Sequence, residues 1–227
     1  MKILCITDLH GSRKALERIL EAAAPVDIIL FGGDITHFGT PARVEPLITR
    51  AVETGAKVLA VAGNCDSAEI DRHLDALGVS LSGTGLVFDE LALQGLPAMP
   101  PWGHTMYQFT EEELAEKLEA GYAKIADAAS DESTTHIVLS HAPPRGGRLD
   151  RTRLFQHVGS TSLRRFVDER QPALVFCGHI HESRGIERSD ATTIVNCGVG
   201  KSGYYGLADV TPGGSTGDSI AVEIHRA

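Results

Sequence analysis

The chain has 227 residues, 42% hydrophobic and 22% charged, which suits a globular protein with enough apolar material for a sizeable core. No apolar run reaches the roughly 18 residues that span a bilayer, and Met1-Lys2-Ile3-Leu4-Cys5-Ile6 is too short for a signal-peptide core, so a cytoplasmic protein without membrane contact is expected. The formal charge of −9, with no basic cluster, argues against a stable nucleic-acid complex but leaves room for a small anionic substrate drawn in by metal charge.

In chain order, residues 2–7 read as a strand and 12–24 as a helix, with Ser12 as its cap and Leu16, Ile19 and Leu20 on one face. Pro25 closes that helix. Val26-Asp27-Ile28-Ile29-Leu30-Phe31 is a second buried strand, followed by a helix near 42–54 and a third strand over 57–61. Residues 79–96 read as short strands with Gly turns, and 97–110 as a proline- and aromatic-rich loop. Thr110 caps a helix over 111–129, with Glu111, Glu112 and Glu113 at its positive end. Strands follow at 136–140 and 173–177, with a helix over 160–170 between them. From 184 onward only short strands and turns are expected. Strand–helix alternation with near-continuous apolar strands implies parallel sheet covered by helices. No repeat or linker interrupts it, so residues 1–227 read as one α/β domain with two sheets.

Each buried strand runs into a polar cluster: Asp8-Leu9-His10, Gly32-Gly33-Asp34, Gly63-Asn64-Cys65-Asp66, His141, and Gly178-His179-Ile180-His181. In an open parallel sheet these strand ends share one edge, where ligands bind. If the backbone is extended, side chains at i and i+2 point the same way, so Asp8 pairs with His10 and His179 with His181. The set offers four imidazoles, two carboxylates and one amide. Mixed N and O donors suit Mn, Fe, Zn, Co or Ni better than Ca or Mg. Seven donors exceed one tetrahedral ion and suit two ions sharing a carboxylate. The four cysteines, Cys5, Cys65, Cys177 and Cys197, form no CxxC pair and no disulfide framework. Cys5 and Cys177 read as small buried residues.

The order DxH, GGD, GN(H/C)D, H, GHxH resembles the calcineurin-like metallophosphoesterases, from Asp8 to about Gly198. Ser140-His141-Ala142-Pro143-Pro144, then Gly147, Asp150, His157-Val158-Gly159-Ser160 and Asn196, look like a small prokaryotic branch of that family. The resemblance implies a four-layer α/β/β/α sandwich with two mixed sheets, and two divalent ions, Mn foremost. It implies that Asp8, His10 and His181 hold one ion, that Asn64, His141 and His179 hold the other, and that Asp34 bridges both. Two such ions, roughly 4 Å apart, clamp phosphoryl oxygens and acidify a bridging water into the nucleophile. Asp34, Asn64 and His141 are therefore placed in catalysis. Asp66 is read as orienting a ligand rather than binding metal itself.

One position departs from the commonest pattern. Many relatives carry histidine where this chain has Cys65, and that histidine is thought to steady the transition state or protonate the leaving group. A thiol is a weak donor, and the Cys form occurs in members regarded as phosphodiesterases, so a small phosphodiester is the expected substrate. His104, in the long 97–110 loop, is the candidate to supply the missing acid and to shape substrate choice. Trp102 can stack on an aromatic leaving group, while His37 and Arg145 are candidates for touching phosphate. The alternatives are a phosphomonoesterase of nucleotidase or protein-phosphatase type, a non-catalytic metal-binding scaffold, and a nuclease. A homodimer through edge strands is compatible with the pattern.

Overall fold

The computed structural model describes residues 1–103, 105–211 and 220–227. Three apolar strands, β1 (Lys2–Ile6), β2 (Ile28–Gly32) and β3 (Lys57–Val61), pair in parallel, with Leu4 opposite Ile29 and Ile29 opposite Val58. A second set comprises β4 (Gly85–Phe88), β5 (Leu91–Leu96), β6 (Thr135–Ser140), β7 (Leu174–Cys177), β8 (Gly185–Ser189) and β9 (Thr192–Asn196). It forms a six-stranded sheet of order β4-β5-β6-β7-β9-β8, in which β4 and β8 run antiparallel to their neighbours. The chain then returns to the first sheet. β10 (Tyr204–Val210) lies antiparallel to β1, and β11 (Ile220–Arg226) lies outside it, giving the order β11-β10-β1-β2-β3. Both sheets are mixed, as expected.

The layering follows from strand alternation. Leu4 and Ile6 face α1 (Arg13–Ala23), α2 (Pro41–Val52) and α3 (Ala68–Ala76), where they meet Leu16, Ile19, Val44, Leu47, Ile70 and Leu74. Ile3 and Cys5 face the other way and pack with Leu93, Leu139 and Phe176 between the sheets. Beyond the second sheet, Val138 and Val175 meet Leu114 and Leu118 of α4 (Glu111–Ala129) and Leu163 and Phe166 of α5 (Thr161–Arg170). Three apolar cores between four layers give the α/β/β/α sandwich. No helix among the described residues is long and apolar enough to cross a membrane.

Caps end the helices where side-chain chemistry calls for it. The Ser12 hydroxyl accepts from Ala15 N–H, and Thr110 forms a reciprocal capping box with Glu113. α3 was not expected. It has nine residues and buries only Ile70 and Leu74, too few for a clear period, but Ser67 caps it and Glu69 and Asp71 sit in its positive first turn.

His136, at the start of β6, is structural. Its Nε2 is 3.2 Å from Gln94 Oε1, and its ring packs near Tyr122 and Phe166. Burial, and secondarily the Arg170 charge, push its pKa down to about 4. The folded state therefore resists protonation that the unfolded chain accepts near its ordinary value of about 6.5. The stability tied to this ring is complete above that value and is lost as pH falls towards 4. Urea unfolding at pH 7 and pH 5 should show the wild type losing about 2 kcal/mol more than His136→Gln. Equal losses would contradict the assignment.

Candidate metal centre

The five polar clusters converge at the carboxyl ends of β1, β2, β3, β6 and β7. Strand alternation does not aim them. Asp8, His10, Asp34 and His179 all have positive φ, at 54°, 47°, 49° and 66°, so the chain has already left the extended conformation. Backbone bonds between neighbouring loops hold these turns: Asp8 N–H donates to Gly33 O at 3.0 Å, His10 N–H to Asp34 O at 2.9 Å, and Gly178 N–H to His141 O at 3.0 Å. Gly63 is required by contact, because a Cβ there would collide with the backbone nitrogen and carboxylate of Asp34.

Two groups of donors result. In the first, ligand atoms of Asp8, His10 and His181 lie within 4.8 Å of one another, and His181 Nε2 is 3.1 Å from Asp8 Oδ1. In the second, His141 Nε2 is 2.8 Å from Asn64 Oδ1, and the His141 and His179 rings lie 5.1 Å apart. Asp34 stands between the groups. Its Oδ2 is 3.9 Å from His10 Nε2 and its Oδ1 is 3.4 Å from His141 Nε2.

The second group has a feature that calls for a cation. His141 Nδ1 is 2.9 Å from Gly32 O, and a carbonyl only accepts, so Nδ1 carries the proton. In the neutral ring Nε2 is then a lone pair, and it faces two more acceptors, Asn64 Oδ1 and Asp34 Oδ1. Three lone pairs converging in a buried site fit a bound metal ion. Burial also lowers the pKa of His10 and takes His179 down to about 3, which keeps both rings neutral and their lone pairs available.

A model of the calcineurin-like phosphoesterases matches residues 1–183. The chain belongs to this family. It is a phosphoric ester hydrolase of a family that uses divalent metal ions. An uncharacterised protein of Methanocaldococcus jannaschii is 32% identical over 202 residues, covering 86% of this chain and 87% of that one. The phosphodiesterase YfcE of Escherichia coli is 38% identical over 85 residues, which cover 33% of this chain and 44% of YfcE. In fold, this metallophosphoesterase is similar to TT1561 of Thermus thermophilus, with a TM-score of 0.75 at 17% identity over 99% of this chain and 98% of that one.

Around the donors, Asp66 links the loops that carry Asp34 and Asn64. Its carboxylate accepts from Ile35 N–H, Thr36 N–H, the Thr36 hydroxyl and Gly63 N–H, at 3.1, 2.9, 2.9 and 2.9 Å. Asn196 does similar work beside His179: its amide lies 3.3 Å from Gly178 O and 3.0 Å from Ile180 O. His157, which had no role in sequence, donates from Nδ1 to the buried Asp150 at 2.7 Å. Met106 was missed. Its sulfur lies 3.3 Å from Asn64 Nδ2, leaving the amide oxygen to face His141.

Cys65 lies against the centre, with its N–H 2.7 Å from Asp34 Oδ1, whereas Trp102 and Arg145 sit further out. Burial, then the Asp34 charge, push the Cys65 thiol far above its ordinary range, which favours its protonated form. Trp102 is 62% exposed, and its backbone N–H donates to Gln108 Oε1. Arg145 lines a cleft with His157, Thr161 and Arg164, none of them a donor of the centre. His104 lies outside the described residues.

Removing the Asp66 carboxylate strands three buried N–H groups and a hydroxyl. Asp66→Ala should therefore cost about 3 kcal/mol in chemical denaturation. A loss under about 1 kcal/mol would show that the two loops are held by other contacts.

Proposed function

We propose that this chain is a two-metal phosphodiesterase acting on a small phosphate diester. The carrying observation is the placement of Asp34, with one carboxylate oxygen towards His10 and the other towards His141. On this reading Asp8, His10 and His181 hold one ion, Asn64, His141 and His179 hold the second, and Asp34 is shared. The N and O donor set favours transition metals, Mn foremost, with Fe, Zn, Ni and Co compatible. Bound ions supply Lewis-acid charge for the phosphoryl oxygens and acidify the attacking water.

The chain's own groups bind and orient. The Gly32 carbonyl fixes the tautomer of His141, and Cys65 N–H, 2.7 Å from Asp34 Oδ1, fixes the carboxylate plane. The diester preference rests on Cys65. A protonated, buried thiol gives little help to a departing alkoxide beside a doubly charged monoester, whereas a diester carries a single charge. The phosphodiesterase name of YfcE supports the same class, over the segment that the two chains share.

With Mn²⁺ present, kcat/KM for bis-p-nitrophenyl phosphate should exceed that for p-nitrophenyl phosphate by about tenfold or more. Asp34→Asn should lower the diester rate by more than about 100-fold. A monoester preference would overturn the substrate class, and an active Asp34→Asn would overturn the bridge.

A further inference from the structure

A cleft of about 590 Å³ opens beside the donor set, and His10 belongs to both. Three rings lead outward from it. His37 meets His10 edge-on at 5.3 Å, and Phe38 meets His37 edge-on at 5.0 Å. A ring nitrogen of His37 lies within 4.8 Å of both Cys65 Sγ and a ring nitrogen of His10. An imidazole thus stands beside Cys65, supplied by the loop after β2.

Phe38 is held unusually. Its φ is 52°, a left-handed conformation that strains a bulky residue, and its backbone N–H donates to Cys65 O at 2.8 Å. The constraint keeps the ring 54% exposed on the cleft wall, where no core packing explains it. Arg13 and Arg43 line the same cleft. Arg13 Nε is 3.6 Å from Glu17, but Glu17 also binds Arg50 at 2.9 Å. Arg43 has no carboxylate within 4.0 Å among the described residues. In a chain of net charge −9, two guanidinium groups beside an exposed aromatic ring favour a ligand that is both aromatic and anionic.

Resting on the phosphodiesterase reading, we propose that this cleft is the leaving-group subsite and selects a nucleotide-like leaving group. His37 donates a hydrogen bond to the departing ester oxygen, Phe38 stacks on the base, and Arg13 and Arg43 bind a further phosphate. Hydrolysis adds water across the P–O bond: its oxygen goes to phosphorus and a proton to the departing oxygen. The bonding pair left on that oxygen faces the His37 N–H.

The test uses the full-length chain loaded with Mn²⁺. Its substrates are bis-p-nitrophenyl phosphate and one dinucleotide, with and without a terminal phosphate on the leaving nucleoside. The phosphorylated dinucleotide should be favoured in kcat/KM by roughly tenfold, the size expected for charge-assisted hydrogen bonds. The double variant Arg13→Ala/Arg43→Ala should bring that ratio close to one. The ratio is internal to each sample, so partial unfolding does not mimic the effect. Arg188→Ala, an exposed arginine on β8, should keep the wild-type ratio. Phe38→Ala should raise KM for both dinucleotides more than it lowers kcat, and His37→Gln, which keeps an N–H donor, should recover part of the loss in His37→Ala. A wild-type ratio near one, a ratio unchanged in the double variant, or turnover of bis-p-nitrophenyl phosphate without either dinucleotide would overturn the subsite. No turnover of bis-p-nitrophenyl phosphate would instead overturn the phosphodiesterase reading on which it rests.

Discussion

Two carboxylates, Asp8 and Asp34, are buried side by side at one edge of the sandwich, and the site is organised around keeping them there. Charge taken out of water costs several kcal/mol per group unless it is compensated. The two acids meet that cost differently. Burial pushes Asp8 up, but the His181 hydrogen bond, the electrostatic influence of the neighbouring His141 and His181 rings and the His179 N–H outweigh it and bring its pKa to about 2. Asp34 has less help: burial, with the Asp8 and Asp66 charges, takes it up to about 6 despite His141 and the Cys65 N–H. A carboxylate so placed between two imidazole groups is poised to gain from a cation.

The rest of the fold brings acceptors together without letting them be quenched. Parallel strands deliver the donors to one edge, and left-handed turns at Asp8, His10, Asp34 and His179 swing them inward. The Gly32 carbonyl accepts a hydrogen bond from Nδ1 on the far side of the His141 ring. Asp66 and Asn196 then satisfy the loop N–H and C=O groups that would otherwise compete for the donors. Strain, hydrogen bonding and packing serve one outcome: lone pairs that face each other.

The layered fold was legible because its strands are short, apolar and regularly spaced. α4 lies at 111–129, as read, because Thr110 and three glutamates mark its start. α3 was invisible because two buried residues make no period. The seven donor candidates, which the fold brings together, could be named by type and by their place after strands, but extended backbone does not explain the pairing of Asp8 with His10. An i, i+2 argument assumes extended backbone, and positive φ at non-glycine residues leaves no simple mark in sequence. Met106 was illegible for a related reason: its role comes from a contact across 42 residues, not from local pattern. His37 was read as a candidate for touching phosphate, whereas its place beside Cys65 is a property of the folded loops.

On the two-metal proposal, Asp34 joins two ions in one centre. The most direct measurement is metal content together with low-temperature electron paramagnetic resonance of the Mn²⁺-loaded chain. Two ions per chain are expected, with the hyperfine spacing of an exchange-coupled pair, about half that of an isolated ion; coupling needs the short bridged separation of a two-metal site. One ion per chain, or two giving only the spectrum of isolated Mn²⁺, would contradict it.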